Sequence, residues 1–200
     1  MILGHTLGLM LRPDHEWNVI RREGYSLRKL YLQHIMLLAL VPVIAAYIGT
    51  TQIGWQIGNG EPIKLTESSA LRLCAIGYLA MLVGVYVLGK FIDLFAATYG
   101  VNNKQSKGVV LAAYIATPLF IGGAAISYPD LFVNMMIGLV AVGYSVYLLY
   151  EGVPILMGIP EERGFLFASS ILTVGLVMFV ALIATSVVIW GLGIGPAYTT

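Results

Sequence analysis

Between Phe165 and Gly195 lie 31 consecutive residues without one charged side chain. A helix needs about 20 mostly apolar residues to cross the hydrocarbon core of a bilayer, and a backbone in lipid must satisfy its own hydrogen bonds. This stretch therefore predicts a membrane-spanning helix over residues 168–192. Its length exceeds one crossing, so tilt, a kink or ends outside the membrane must absorb the excess.

Four further apolar stretches pass the same test, at residues 30–49, 70–92, 108–126 and 131–150. None alternates at a period of two over ten residues, which argues against a membrane β-barrel. Charged residues make up 10% of the chain, against about 25% in soluble domains, so much of the surface faces something other than water. The sequence thus predicts an all-α integral membrane protein, a bundle of five transmembrane helices.

The residues before the first span, 1–29, are expected to form a cytoplasmic or interfacial segment. An interfacial amphipathic helix is expected within Pro13 to Lys29, because Trp17 and Ile20 lie three residues apart and can share an apolar face. One interpretation is an anchor that lies on the membrane surface, and the alternative is a helix that docks on a partner. The bundle itself is expected over residues 30–195, followed by a short outer tail at 196–200.

Lysine and arginine positions predict the orientation, because cytoplasmic loops carry the excess of these residues. Nine lie near the N-terminus or the connections after the second and fourth spans, whereas two lie near the connection after the first span. The N-terminus is therefore expected inside and the C-terminus outside. The nine are Arg12, Arg21, Arg22, Arg28, Lys29, Lys90, Lys104, Lys107 and Arg163, and the two are Lys64 and Arg72.

Ionisable residues near or inside the spans are candidate functional positions, because charge in lipid is costly. Lys90 and Asp93 are three residues apart at the end of the second span and are expected to pair, or Lys90 extends to the interface. His34 predicts either a hydrogen bond to a neighbouring helix or a proton-linked role. Glu151 follows the fourth span and is expected to face water or an arginine rather than a substrate.

Two prolines lie inside predicted spans, and each removes a backbone hydrogen-bond donor. Pro42 leaves the carbonyl of Leu38 without its helical partner, and Pro118 does the same to Tyr114. Such carbonyls can line an ion or solute site, or neighbouring helices can satisfy them. Tyr114 and Thr117, which precede Pro118, complete the set of candidate polar and kink positions.

Small residues recur at helical spacing on two spans and predict close helix packing, within the chain or in a dimer. On the second span they are Gly77, Ala80 and Gly84, and on the third span Ala112 and Ala116.

Signatures of enzymes and metal sites are missing from the sequence. No G-x-S-x-G, H-E-x-x-H or phosphate-binding glycine loop occurs, and no Cys/His cluster has metal-ligand spacing around the single cysteine, Cys74. The formal net charge of +1 argues against binding to nucleic acid. No catalytic residue, metal or cofactor is therefore expected.

Four segments carry a resemblance to a known family: LRPDHEWNVIRRE from Leu11, VPVIAAYIGTTQIGW from Val41, AAYIATPLFIGG from Ala112 and GYSVYLLYEGVP from Gly143. Together they resemble the Yip family, membrane proteins first known as Ypt/Rab-interacting proteins, and most closely its bacterial inner-membrane members. Ala113 to Pro118 is similar to the family's Gly-Tyr-x-x-x-Pro element, with Ala113 in place of the glycine.

The resemblance implies five spans, a cytoplasmic N-terminus and, for bacterial members, a place in the inner membrane with no settled biochemical activity. The Asp-Leu-Tyr-Gly-Pro element and the long cytosolic region of eukaryotic members have no counterpart, so a Rab-type GTPase is not an expected partner. We expect a non-enzymatic scaffold, organising or trafficking-like protein whose partners are the lipid bilayer, further copies of itself or other membrane proteins. The alternative is a small transporter, channel or lipid-handling protein with a polar site around the prolines.

Overall fold

A computed structural model describes residues 2–24, 26–56, 61–98 and 106–199, with the side chains of Ile2 and Leu3 excepted. Within these ranges two short helices precede five long ones, and each of the five is long and apolar enough to cross a membrane. The prediction of an all-α bundle with five spans is therefore confirmed. The helices are α1 (Ile2–Leu11), α2 (Pro13–Glu23), α3 (Leu27–Ile53), α4 (Glu67–Thr98), α5 (Lys107–Ser127), α6 (Leu131–Met157) and α7 (Glu161–Gly191).

Several helices are longer than the predicted spans. With a rise of 1.5 Å per residue, the 31 residues of α7 extend over about 46 Å, well beyond the roughly 30 Å of a hydrocarbon core. α4 has 32 residues and continues to Thr98, so Lys90 and Asp93 lie within the helix rather than after it. Hydropathy predicts where each helix crosses the membrane but not where the helix begins and ends, because a helix can continue into the polar interface.

The third span, α5, lies at the centre of the bundle and contacts α3, α4 and α6. Every residue of Gly108 to Ile115 is buried. The helix then breaks at Ala116, resumes over Thr117–Gly122 and tightens to a 3₁₀ helix over Gly123–Ser127. A break of this kind is expected next to Pro118, which cannot donate a helical hydrogen bond.

Glycines allow α5 to approach two neighbouring helices closely. A Cβ on Gly89 of α4 would lie 2.5 Å from the Cα of Val109, and a Cβ on Gly123 would lie 2.5 Å from the Cβ of Pro42 in α3. Real Cβ atoms do not approach other atoms so closely, so a larger residue at either position requires the helices to move apart. The close helix contacts of α4 and α5 therefore form at Gly89, which the sequence analysis did not single out.

The predicted small-residue stripe on α4 has a different environment. A Cβ added to Gly77 or Gly84 would meet no atom within 4 Å in the described part of the chain. Packing within the chain is thus the wrong interpretation for these two glycines, and Ala80, which lies between them, is half-buried. On α5, Ala112 is fully buried in the core, whereas Ala116 is the half-buried residue at the break.

α1 and α2 fold back on each other and form a helical hairpin, residues 2–23, against the bundle. Trp17 and Ile20 have 0% and 1% of their surface exposed, because they face the protein. Their expected contact with lipid is therefore wrong: the apolar face that suits a membrane surface covers the protein's own helices. α2 runs beside the end of α6, with Trp17 next to Gly152 and Arg21 next to Gly158.

The C-terminal residues pair with the connection between α3 and α4. The amide of Thr66 donates to the carbonyl of Ala197 at 2.9 Å, and the amide of Thr199 donates to the carbonyl of Lys64 at 2.9 Å. These residues define a C-terminal face of the bundle, and the hairpin and the α6–α7 connection lie at the other, N-terminal face. Lys104, used in the orientation count, lies outside the described residues.

Candidate functional site

A buried hydrogen bond joins α3 to α5 beside the break in α5. Nε2 of His34 lies 2.9 Å from Oγ1 of Thr117, and that hydroxyl donates to the carbonyl of Ala113 at 3.2 Å. A threonine hydroxyl has one hydrogen, so its oxygen accepts from His34 when it donates to Ala113. Nε2 of His34 therefore carries a proton, and in the neutral ring Nδ1 is left as an acceptor.

The surroundings of His34 offer Nδ1 no partner. The histidine has no exposed surface, and its Nδ1 makes no hydrogen bond with any residue in the described ranges. His34 lies on a π-helical turn, Tyr31–Ile35, and such turns are frequent at functional sites because they displace side chains from regular helical positions. His34, Tyr114 and Thr117, all fully buried, are called the polar centre below.

The ring of Tyr114 lies between His34 and the hairpin. Its centroid is 4.7 Å from that of His34, 6.0 Å from that of Trp17 and 6.3 Å from that of His5. The contacts with Trp17 and His5 are edge-to-face, which is a favoured arrangement of aromatic rings. The hairpin is therefore the layer that covers the polar centre from the N-terminal face.

His5 contacts two glutamates of α2. Its Nδ1 hydrogen-bonds Glu16, and its Nε2 lies 3.2 Å from Glu23. Both ring nitrogens are thus engaged by carboxylates, which ties α1 to α2. Sequence analysis missed this cluster, although two signals were present: a histidine in an apolar segment, and glutamates seven residues apart on one helical face.

The two prolines have separate environments. Pro118 follows Thr117 directly and adjoins the polar centre, whereas Pro42 remains inside a continuous helix and packs against Gly123. Pro42 also lies two helical turns beyond His34, towards the C-terminal face. Of the two prolines, Pro118 thus adjoins the polar centre and Pro42 does not. A polar site around the prolines stays a prediction.

Lys90 and Asp93 lie apart from the polar centre. The ammonium of Lys90 is 3.9 Å from Asp93 and 5.5 Å from the ring centre of Tyr86, on the outer surface of α4. Asp93 also accepts a hydrogen bond of 2.7 Å from the amide of Gly108, at the start of α5. A carboxylate is favourable at a helix N-terminus, so Asp93 joins α4 to the start of α5.

Glu151 has a neighbour that was not expected. Its carboxyl group lies beside that of Asp14 in α2, and Tyr147 is near both. This proximity links the hairpin to α6. The expectation that Glu151 faces water or an arginine rather than a substrate stays a prediction.

Metal-binding geometry is not found in the described residues, where no three His, Cys, Asp or Glu side chains are grouped closely enough to hold an ion. The ionisable side chains instead form pairs and a triad that join helices. The site is thus a closed polar centre in a five-helix membrane protein, covered by a helical hairpin.

The sequence of this chain matches a known family. The profile of the Yip1 domain matches residues 7–182, and the chain belongs to the Yip1 domain family. It is 40% identical over 191 residues to the inner membrane protein YohC of Escherichia coli K12, which covers 96% of this chain and 98% of the relative. The protein of the same name from E. coli O6:H1 matches equally well. No solved structure matches. The resemblance found in the sequence is confirmed.

Proposed function

We propose that this chain is a non-enzymatic protein of the bacterial inner membrane that organises or recruits other membrane components, including copies of itself. The observation that supports this function best is the closed centre of the bundle. His34, Tyr114 and Thr117 are fully buried among packed side chains, and Lys90 lies on the outside of α4. Polar residues that would have to line a shared path for a solute are thus separated.

The orientation is part of the same proposal. In the sequence, nine lysines and arginines lie near the N-terminus or the connections after the second and fourth spans, against two near the connection after the first span. This distribution favours an N-terminus in the cytoplasm and a periplasmic C-terminal tail. The name of the E. coli relative, an inner membrane protein, supports the location. We do not expect nucleic acid or a Rab-type GTPase among the partners.

Self-association has a candidate surface on α4. Gly77 and Gly84 are seven residues apart, two helical turns on one face. A Cβ added at either would meet no atom of another described segment within 4 Å, so another helix can approach there. Larger side chains at both positions would prevent that approach without disturbing the described contacts of the bundle. The double variant Gly77→Leu, Gly84→Leu is therefore a specific probe.

Mild crosslinking in native membranes followed by affinity purification tests the proposal. We expect a stoichiometric partner, a second copy included, and loss of the second copy in the Gly77→Leu, Gly84→Leu variant. Gly143→Leu, at an exposed glycine of α6 with open space around it, is the matched control. Repeated recovery of the chain alone would contradict the proposal.

One observation favours a second function, a small transporter, channel or lipid-handling protein. His34 lies beside the break in α5 and has an unpartnered Nδ1, which is an arrangement that solute or proton sites use. Reconstitution into liposomes with ion-flux and lipid-scrambling readouts tests it, with His34→Ala and Pro118→Ala as variants. Activity no greater than that of empty vesicles would eliminate this candidate.

A further inference from the structure

We propose that the hairpin of α1 and α2 is a displaceable cap, and that its release opens the polar centre to water from the N-terminal face. This conformational change goes beyond the proposed function and is independent of whether the protein organises partners or transports a solute.

Position is the first argument for the cap. The rings of Trp17 and His5 both lie against Tyr114, and Tyr114 lies against His34. Trp17 and His5 come from α2 and α1, whereas Tyr114 and His34 belong to the bundle. Removing the hairpin therefore uncovers Tyr114 first and brings water next to His34.

Unsatisfied polar atoms are the second argument. Oγ1 of Thr6, Nε1 of Trp17 and Nδ1 of His34 are buried without a hydrogen-bond partner among the residues the structure describes. Two belong to the hairpin and one to the polar centre. Buried polar groups in proteins are nearly always hydrogen-bonded, and an unmade bond is costly. Entry of water on release would satisfy all three, which lowers the free energy needed to open the cap.

The hairpin is also built to move as a unit. His5 holds α1 to α2 through Glu16 and Glu23, so the two helices stay together when they leave the bundle. The chain leaves α2 through Gly24, whose φ of 59° is a conformation that other residues rarely adopt. Gly24 therefore supplies a hinge between the hairpin and α3.

A destination for the released hairpin exists at the membrane surface. Trp17 and Ile20 form an apolar face on a helix that also carries Arg21 and Arg22, the pattern of a helix that binds an interface. The sequence of α2 thus has the pattern of a helix that binds a membrane surface, and the structure has the same face docked on protein. The proposed cap requires that the apolar face of α2 exchanges between contact with the bundle and contact with lipid.

The experiment displaces the Trp17 indole from its position against Gly152 and measures whether the polar centre becomes accessible to water. A Cβ at Gly152 would lie 2.6 Å from the indole, so Gly152→Leu forces the ring out, whereas Gly143→Leu on the same helix meets open space. The background carries Trp55→Phe and Trp190→Phe, which leaves Trp17 as the fluorophore. It also carries Cys74→Ala and Thr117→Cys, which leaves one thiol in the polar centre.

Two readouts are taken on the protein in liposomes. Quenching of Trp17 by brominated lipid reports the hairpin on the membrane, and reaction of Cys at position 117 with a water-soluble maleimide reports the opening. We expect Gly152→Leu to raise quenching and to speed labelling at least about tenfold, as for a shift towards an open state. The Gly143→Leu variant should show the same quenching and the same labelling rate as the protein without a substitution in α6.

Either of two results overturns the proposal. In one, Trp17 becomes quenched while the thiol stays unlabelled, so the hairpin leaves without opening the centre. In the other, neither readout changes. If Gly152→Leu does not fold, hydrogen exchange of the unaltered chain is the test. The amides of residues 2–23 should exchange together and faster than those of residues 108–115. Equal exchange rates in the two segments would refute the cap.

Discussion

The indole of Trp17 occupies the space that a side chain at position 152 would need. A Cβ built on Gly152 lies 2.6 Å from two carbons of the ring and 3.0 Å from Leu111. Trp17 in α2 and Gly152 in α6 thus form one packing unit in which the largest and the smallest side chains complement each other. Substitution of either one changes how firmly the hairpin docks.

Gly152→Ala should destabilise the folded protein by about 1–3 kcal/mol, the usual cost of overpacking a filled site. The indole has to shift, and Leu111 behind it is fully buried and cannot give way freely. Thermal unfolding in detergent, followed by the fluorescence of the protein, measures the effect. Gly143→Ala is the control at an open position of α6, and equal midpoints for the two variants would contradict this contact.

The hydrogen bond between His34 and Thr117 should appear as a coupling between α3 and α5. His34→Ala and Thr117→Val each remove one partner of a fully buried pair. A double-mutant cycle should give a coupling energy of about 0.5–1.5 kcal/mol in the free energy of unfolding. Thr185→Val, at an exposed threonine of α7 that bonds within its own helix, should show no coupling to His34→Ala.

Gly89→Leu should impair folding far more than Gly77→Leu, although both glycines belong to α4. Gly89 faces the backbone of Val109 at the contact with α5, whereas Gly77 has open space around it. Overpacking against a backbone cannot be relieved by a change of rotamer, so the helices must separate. The yield of monodisperse protein in detergent compares them, and similar yields would show that this helix contact is not formed.

Tyr144→Phe should loosen α1 specifically. The Tyr144 hydroxyl lies 2.8 Å from the carbonyl of Leu9 and 3.1 Å from that of Met10, and it donates to them. Loss of about 1 kcal/mol of hydrogen bonding should raise amide exchange in α1 roughly fivefold. Tyr128→Phe, at an exposed tyrosine just before α6, is the control. Unchanged exchange in α1 would mean that these bonds do not hold the hairpin.

Hydropathy was sufficient to locate the five spans, because the requirement for about 20 apolar residues is local in the chain. Contacts between spans depend on how helices rotate, and the stripe of small residues on α4 illustrates the difference. Gly77 and Gly84 had the expected spacing, but a Cβ added at either would meet no described atom within 4 Å, and Gly89, outside the stripe, makes the close contact. The spacing of small residues identifies one face of a helix, but it does not show which other helix packs against that face.

In the candidate site too, some features could be predicted from the local sequence, and others depend on contacts between helices. One of the two interpretations of His34 was a hydrogen bond to a neighbouring helix, the other a proton-linked role. Its bond to Thr117 reaches a residue 83 positions away, a separation that no local pattern encodes. His5 was missed because it lies in a segment too short to span, and its two partners come from a helix that was expected on the membrane surface. Docking of that helix depends on Gly152, whose role is visible only in three dimensions.

The pairing of residues 197–199 with the connection after α3 determines the order in which parts of the fold can form during synthesis. Lys64 and Thr66 leave the ribosome well over a hundred residues before Ala197 and Thr199, their hydrogen-bond partners. Four spans can therefore insert and associate during translation, whereas the seam between the α3–α4 connection and residues 197–199 closes only after Ala197 and Thr199 have been synthesised. A nascent chain stalled before Ala197 would remain open along that seam and accessible to the quality-control proteases of the membrane.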